Sequence, residues 1–161
     1  MPFDLAILRR LDKAHAGEAN VRGTGNTSYI WEAYENDVQL DSLNQLVTIE
    51  GTDKLAQEIM KILLTPKGGL TDDPDYGTSL MSLVGEKFST DRFAEVQTEV
   101  VNALIHYNQL NADNPNSDEV IEVIQDIGTV RDSDDPRHMQ VYVRVITESG
   151  KTVAIVAPQV L

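Results

Sequence analysis

The chain has 161 residues, of which 41% are hydrophobic and 24% charged, a balance typical of one globular domain. Its 13 basic and 26 acidic residues give a formal net charge of -13. The densest basic spots are isolated pairs, so we expect neither nucleic acid nor an anionic membrane as a partner. The absence of cysteine excludes disulfides and thiolate metal sites, and no apolar run approaches the roughly 20 residues of a transmembrane helix.

The N-terminus carries a helical pattern. Three leucines recur at a spacing of three within Asp4–His15, which predicts a short amphipathic helix. Such a helix is too short to be stable alone, so we expect it to need a docking surface. The first ten residues have no small-residue cleavage site, so we do not predict a signal peptide there. The leucines of the stripe are Leu5, Leu8 and Leu11.

A polar connection and an aromatic strand follow this helix. Glycines and asparagines dominate Gly17–Thr27, which is typical of a flexible connection. The run Tyr29–Tyr34, with Trp31 at its centre, is rich in aromatic and β-branched residues and predicts a strand. We therefore predict that residues 1–36 form a helix, a linker and a strand that a partner could order, and that residues 37–161 form an α+β domain.

A short strand and a first helix come next. The strand is predicted at Leu46–Glu50, and the helix after it has Thr52 or Asp53 as its cap. Pro66 and the glycine pair 68–69 end the helix. Its buried stripe is predicted to be Leu55, Ile59, Ile62 and Leu63.

A second pair of helices follows an ordered loop over Leu70–Gly77. A short helix is predicted at Ser79–Val84, and a long one is capped by Ser89-Thr90-Asp91 and runs to about Tyr107. The stripe of the long helix is Phe93, Val96, Val100, Leu104 and Tyr107.

The C-terminal third changes to a period of two. After an exposed, asparagine-rich connection at Asn108–Ser117, the segment Ile121–Val130 fits helix or strand, and we favour a strand from about Glu122. Alternation over 139–146, a turn at Ser149-Gly150 and a return strand at Thr152–Ala157 predict a hairpin. The predicted fold is a single α+β domain, a small antiparallel sheet with helices packed on one face.

No set of residues predicts a catalytic, cofactor or metal site. The three histidines have no helical pairing, and His106 is expected to be a surface group near the end of the long helix. The glycines match neither the P-loop nor the dinucleotide fingerprint. The two acidic groups are expected to be solvated loops rather than ligands of Mg²⁺ or Ca²⁺. These groups are Asp72, Asp73 and Asp75, and Asp132, Asp134 and Asp135.

A helix stop, a loop and a turn form the most distinctive local pattern. A leucine-rich helix end runs into Gly68, and Pro74-Asp75-Tyr76-Gly77 follows in fixed register. Glycine stops the helix, proline fixes the turn, and Gly77 permits an unusual backbone angle before the next helix. The pattern resembles the wedge proteins of contractile phage baseplates, a family that includes the related baseplate component of type VI secretion systems. The resemblance depends on Leu64, Thr65, Gly68, Pro74, Tyr76, Gly77 and Leu80.

The resemblance spans about Asp37–Ala157, with two departures. Gly69 and Leu70 stand where family members usually have an acidic and a basic residue. Tyr107–Leu110 stands where many members end their long helix with Glu-Pro-Arg, a motif implied in docking to the tube and sheath. The fold is still expected, because the caps and core stripe remain, but sheath initiation is not carried over.

The resemblance implies a structural, non-enzymatic component of a phage tail baseplate. It implies many copies in a ring around the tail tube, in contact with other baseplate, tube or sheath proteins, in a virion assembled in the host cytoplasm. The N-terminal leucines and Trp31 are candidate interface residues. Two alternatives stay open. One is a hub or tail-completion protein of a non-contractile tail, and the other is a lysozyme-like enzyme that degrades peptidoglycan.

Overall fold

The helices and strands below come from a computed structural model. It describes residues 4–5, 8–12, 29–33, 43, 48–83, 90–131 and 139–157. Within them the strands are β1 (Asp4–Leu5), β2 (Leu8–Asp12), β3 (Tyr29–Ala33), β4 (Thr48–Ile49), β5 (Ile121–Arg131), β6 (Met139–Thr147) and β7 (Thr152–Ala157). The α-helices are α1 (Thr52–Leu64) and α2 (Thr90–Leu110), and a short 3-10 helix covers Leu80–Leu83.

Five of the strands form one sheet in the order β2-β3-β7-β6-β5. Strands β5, β6 and β7 are antiparallel neighbours, as the alternation and the hairpin turn predict. β3 joins β7 in parallel, with Ile30 beside Ala154, so the sheet is antiparallel except at this one pair of described strands. β1 and β4 form a separate antiparallel pair. The predicted α+β architecture in a single domain is confirmed.

The core lies between the two helices and one face of the sheet. Alternate residues of β6 and β7 point toward the helices because side chains of a strand alternate between faces. Burying each aliphatic side chain contributes about 1.5–3 kcal/mol relative to exposure. The predicted helix stripes are buried, except that Phe93 is only half-buried. The sheet residues in this core include Val141, Val143, Val145, Val153, Ile155 and Ala157.

The helix predicted over Asp4–His15 is wrong where the structure describes that segment. Asp4–Leu5 forms β1 and Leu8–Asp12 forms β2, which pairs with β3 so that Leu11 lies opposite Ile30. A helix of this length has little stability of its own, so pairing with neighbouring strands outweighs the leucine spacing.

Other local predictions are confirmed or lie outside the described residues. The strands at β3 and β4 and the start of β5 agree with the sequence, and α2 extends three residues beyond the predicted end. The connection Gly17–Thr27, the cap at Ser89 and the loop Asp132–Pro136 lie outside the described residues. The division between residues 36 and 37 stays a prediction. In the described part of the chain, no helix combines the length and the apolarity that crossing a membrane requires.

Candidate functional site

The segment between α1 and the 3-10 helix is a closed loop, which we call the elbow (Leu64–Leu80). α1 ends at Leu64, and Thr65 leaves in an extended conformation while its N–H donates to the Lys61 carbonyl at 2.9 Å. The two ends of the elbow then meet: the Lys67 N–H donates to the Thr78 carbonyl and the Thr78 N–H to the Thr65 carbonyl, both at 2.9 Å. These backbone bonds close the loop at its base and fix the angle between the elements that flank it.

Two glycines give the elbow its course. Gly68 has φ 79°, and its N–H donates across the loop to the Pro74 carbonyl at 3.0 Å. Gly77 has φ 104°, and a Cβ at this position would overlap the Thr65 carbonyl oxygen. Both conformations favour glycine because a side chain strains them. The unusual backbone angle predicted at Gly77 is confirmed, whereas the prediction that a glycine stops the helix is wrong, because α1 ends at Leu64 with Thr65 as its C-cap.

The inner side of the elbow is anchored in the core. Thr78 is buried, and its hydroxyl donates to the Leu63 carbonyl at 2.9 Å. Leu80 belongs to the hydrophobic core, and half-buried Tyr76 packs against it. Burial raises the pKa of the Tyr76 phenol to about 12, and the nearby Glu58 carboxylate adds to the effect. The ring therefore stays neutral and packs as part of the core.

Two contacts tie the elbow to α2. His106 Nε2 lies 2.8 Å from Asp73 Oδ2, and Glu99 Oε2 accepts the Ser79 N–H at 3.0 Å. His106, predicted as a surface group, is thus a partly buried partner of the elbow. Between Lys67 and Asp75 on the elbow and the facing side of α2 lies a polar cavity of about 200 Å³.

The outer side of the elbow is exposed. Its tip runs from Lys67 to Asp72 and includes Leu70, which is 44% exposed. Asp72 and Asp75 are exposed as well, as expected of a solvated loop. No group of three or more His, Cys, Asp or Glu that could hold a metal ion occurs in the described ranges. The elbow is therefore a rigid loop that presents a fixed polar surface.

A second cluster, which the sequence analysis missed, holds the other end of α1. The predicted caps Thr52 and Asp53 are wrong: Gly51, with φ 64°, occupies the cap position and makes no side-chain cap bond. Its N–H instead donates to Glu119 Oε1 at 3.0 Å, and Lys54 Nζ lies 2.9 Å from Glu119 Oε2. A carboxylate from a distant loop thus takes the place of a local cap at the positive end of the helix dipole.

Two asparagines complete this Glu119 cluster. The side-chain amides of Asn114 and Asn116 donate to the two carboxylate oxygens at 3.0 and 2.9 Å. Glu119 is only 2% exposed. Burial raises its pKa, but the hydrogen bonds from Asn114, Lys54 and Gly51 outweigh burial and hold the pKa below its usual value. Glu119 is therefore an ionised carboxylate whose oxygens are already occupied by donors.

The asparagine-rich connection gave the only signal for this cluster. These side chains also bond the nearby backbone, as is common for asparagine in connections: Asn114 Oδ1 accepts the Asn116 N–H, and Asn116 Oδ1 accepts the Asp118 N–H. The sequence did not indicate that the side-chain NH2 groups of Asn114 and Asn116 donate to the buried carboxylate of Glu119. A run of asparagines ahead of a single glutamate is the pattern that could have suggested it.

The other predicted interface residues lie in the N-terminal strands. Leu5 is in β1, Leu8 and Leu11 are in the edge strand β2, and Trp31 is in β3 between Arg10 and Ile155 in the register. β2 and β3 belong to the large sheet, whereas β1 pairs with β4. The three leucines are thus distributed over two sheets rather than along the predicted helix, whereas Trp31 lies in a strand as predicted.

Comparison with known proteins gives one informative likeness. No protein-family model matches the sequence, and no curated protein matches it. The fold is similar to the crystal structure of a Geobacter sulfurreducens protein described as a candidate tail lysozyme. The two share 19% sequence identity with a TM-score of 0.55, and the match covers 78% of this chain and 96% of that one. At this identity the likeness shows a shared α+β fold.

Proposed function

We propose that this chain is a structural component of a phage tail baseplate that connects neighbouring baseplate proteins around the tail tube. The observation that carries the proposal is the elbow. Its sequence pattern resembles that of phage baseplate wedge proteins, and it folds as a closed loop anchored in the core. The surrounding fold is shared with a candidate tail lysozyme. The match covers 96% of that tail-associated chain, so nearly all of its fold has a counterpart here.

The elbow suits a part that must hold its shape under load. Its backbone is closed at the base by the bonds between Thr65, Lys67 and Thr78, and its inner side chains lie in the core. The exposed tip around Leu70 is thus presented on a loop that is closed at its base. We propose other baseplate proteins and tube or sheath proteins as the partners, with several copies forming a ring in the virion tail.

A second contact surface is proposed at the N-terminal strands. Leu5, Leu8, Leu11 and Trp31 remain its candidate anchors, with Trp31 the strongest because aromatic anchors commonly dominate interface energetics. Replacing Trp31 with alanine is expected to weaken incorporation into tails more strongly than replacing Glu148, an exposed residue outside both proposed surfaces. If both variants enter particles as wild type does, the N-terminal surface is not a contact.

Electron microscopy of purified particles tests the assignment. A small peptide tag placed in the Ser149-Gly150 turn, which is exposed and far in sequence from the elbow, can be labelled with gold. We expect label at the tail end distal to the capsid, and the same tag on a head protein serves as the control. Label spread over the head, or none on complete particles, contradicts a baseplate position.

The tail-lysozyme description of the similar structure favours a second candidate, peptidoglycan hydrolysis. Retaining and inverting glycosidases need a protonated carboxylic acid facing a second carboxylate. Glu119, the one carboxylate that is fully buried among the described residues, has a lowered pKa and four donors, which is unsuited to that role. A groove of about 480 Å³ beside α2 does contain Glu95 and Glu99.

A zymogram on cell walls separates the two functions. Our proposal expects no cleared zone from the purified protein at any loading. Clearing that disappears in Glu99→Gln but persists in the exposed control Glu148→Gln would establish hydrolysis in the groove and overturn the structural assignment.

The type of tail is a separate question. Two of the four residues in place of the family Glu-Pro-Arg make internal bonds: the Tyr107 hydroxyl donates to the Glu119 carbonyl at 2.8 Å, and Asn108 bonds to β5, whereas the two residues after them are exposed. The missing family motif keeps the hub or tail-completion protein of a non-contractile tail as the alternative. A sheath protein in the same particles would restore the contractile assignment, and particles without sheath would support the alternative.

A further inference from the structure

The strand β5 ends the large sheet on one side. β6 pairs with one edge of β5, and the described strands place no other strand on its opposite edge. β5 is 11 residues long, roughly twice the usual strand length of about 5–6 residues. A long open edge presents a row of backbone donors and acceptors that invites pairing with another chain.

The side chain of Asn108 imitates a partner strand at one end of this edge. Its Nδ2 donates to the Ile121 carbonyl at 2.6 Å, and its Oδ1 accepts the Ile121 N–H at 3.1 Å. An amide that both donates to and accepts from one residue reproduces the bond pair that a neighbouring strand would make. The outward backbone groups of Ile121 are thereby occupied.

Gln97 makes a single bond to the same edge further along the strand. Its Nε2 donates to the Ile127 carbonyl at 3.2 Å. The 11 residues between Gln97 and Asn108 cover roughly 16 Å of helix, and the six between Ile121 and Ile127 cover roughly 20 Å of strand. α2 therefore runs alongside β5 in the opposite direction and meets its edge at two points.

The stretch between these two points is irregular. The register with β6 shifts between Ile121 and Val123 and again between Ile124 and Asp126. Such shifts bend a strand and disrupt the even spacing that a new strand would need. Bulges are one of the recurring ways in which proteins keep edge strands from pairing with other chains.

We propose that Asn108 and Gln97 form an edge lock, a pair of amide side chains on α2 that keeps β5 from pairing with a second copy of this chain. The lock is independent of the proposed baseplate function, because it concerns only the closure of this edge. It predicts that contacts between copies are made elsewhere on the protein and that β5 pairs with a second copy when the two amides are removed.

The double variant Asn108→Ala with Gln97→Ala tests the lock. Hydrogen exchange of the Ile121 amide is expected to rise about tenfold, because its acceptor is lost. Sedimentation velocity over a concentration series is expected to show self-association beyond that of the wild type. Adding Val123→Lys, a charge at an exposed β5 side chain, is expected to reverse this association.

The controls remove polar side chains that make hydrogen bonds but do not contact β5 through them. Asn111→Ala removes an amide that donates to the Tyr107 carbonyl, and Thr98→Ala removes a hydroxyl that bonds within α2. Their double variant is expected to sediment as wild type. Two results would overturn the proposal. One is wild-type exchange at Ile121 together with wild-type sedimentation in the double variant Asn108→Ala with Gln97→Ala. The other is self-association that Val123→Lys does not reverse.

A milder variant covers the case in which the double variant does not fold. Asn108→Leu alone removes both bonds to Ile121 with little change in side-chain size and without adding a charge. Faster exchange at Ile121 together with increased self-association is the expected result. Unchanged self-association in this folded variant contradicts the lock.

Discussion

The two ends of α1 are held by different means. At its C-terminal end, backbone bonds within the elbow close the chain on itself, and glycines permit the required angles. At its N-terminal end, a buried carboxylate from residue 119 receives Gly51, Lys54 and two asparagines. The first anchor is local and uncharged, whereas the second is formed by distant residues and depends on ionisation. Each should therefore fail under different perturbations.

The largest effect is expected from removing the charged anchor. Glu119→Ala leaves Lys54 and the Gly51 N–H without their buried acceptor, and loss of one partner from such a cluster typically destabilises by about 3 kcal/mol or more. The control Glu95→Ala removes an exposed pair with Arg92 and should change stability by about 0.5 kcal/mol at most. Urea unfolding measures the free energy of unfolding of both variants. Equal destabilisation by Glu119→Ala and Glu95→Ala would contradict the anchoring role of the cluster.

A smaller but substantial loss is expected when the elbow's backbone is strained. Gly77→Ala should destabilise by about 2 kcal/mol, because its positive φ disfavours a side chain and the added Cβ meets the Thr65 carbonyl. Gly150→Ala is the matched control, since Gly150 also has positive φ but has open space around it. That control should cost about 1 kcal/mol. A reversed order in thermal unfolding would contradict the closed loop.

Acid should distinguish the two anchors without any mutation. Hydrogen bonds from Lys151 and Ser149 lower the pKa of Asp118, and the Glu119 pKa is lowered as well. Since both pKa values are lower in the folded state, their contribution to stability is present above the unfolded values near 4 and is lost as pH falls below them. Glu119→Gln should reduce the change in the free energy of unfolding with pH, whereas Gly77→Ala should leave that change as it is in the wild type.

The smallest effect is expected at the side-chain tie between the elbow and α2. Asp73→Asn weakens the contact with His106, a partly exposed pair of the kind that contributes about 0.5 kcal/mol. The exchange of the Gly68 amide, which is bonded to the Pro74 carbonyl, should rise more than the exchange of the Thr65 amide in α1's last turn. Faster exchange throughout α1 would mean that this tie, not the backbone closure, holds the elbow.

The same contrast explains what the sequence could predict. The elbow was predictable because glycine and proline report backbone angles directly, and the helix stripes and the β6–β7 hairpin were predictable because their periods are local. The Glu119 cluster was not, since nothing near Gly51 indicates a carboxylate that arrives 68 residues later. A glycine cap also carries a weaker signal than the adjacent Thr52 or Asp53.

The N-terminal strands were missed for a related reason. Leucines at a spacing of three fit a helix in isolation, but β2 is defined by its pairing with β3, and β3 by its pairing with β7. Such partners cannot be read from the segment itself. The edge contacts of Asn108 and Gln97 also join residues that are distant in sequence.

The parallel pairing of β3 with β7 has a consequence for synthesis. Ile30 and its neighbour Ala154 are 124 residues apart, so β2 and β3 are synthesised long before the strand that joins them to the large sheet. Contacts this distant in sequence slow folding. The first strands can therefore join the large sheet only after β7 has been made, and products truncated before β7 cannot attach them to it.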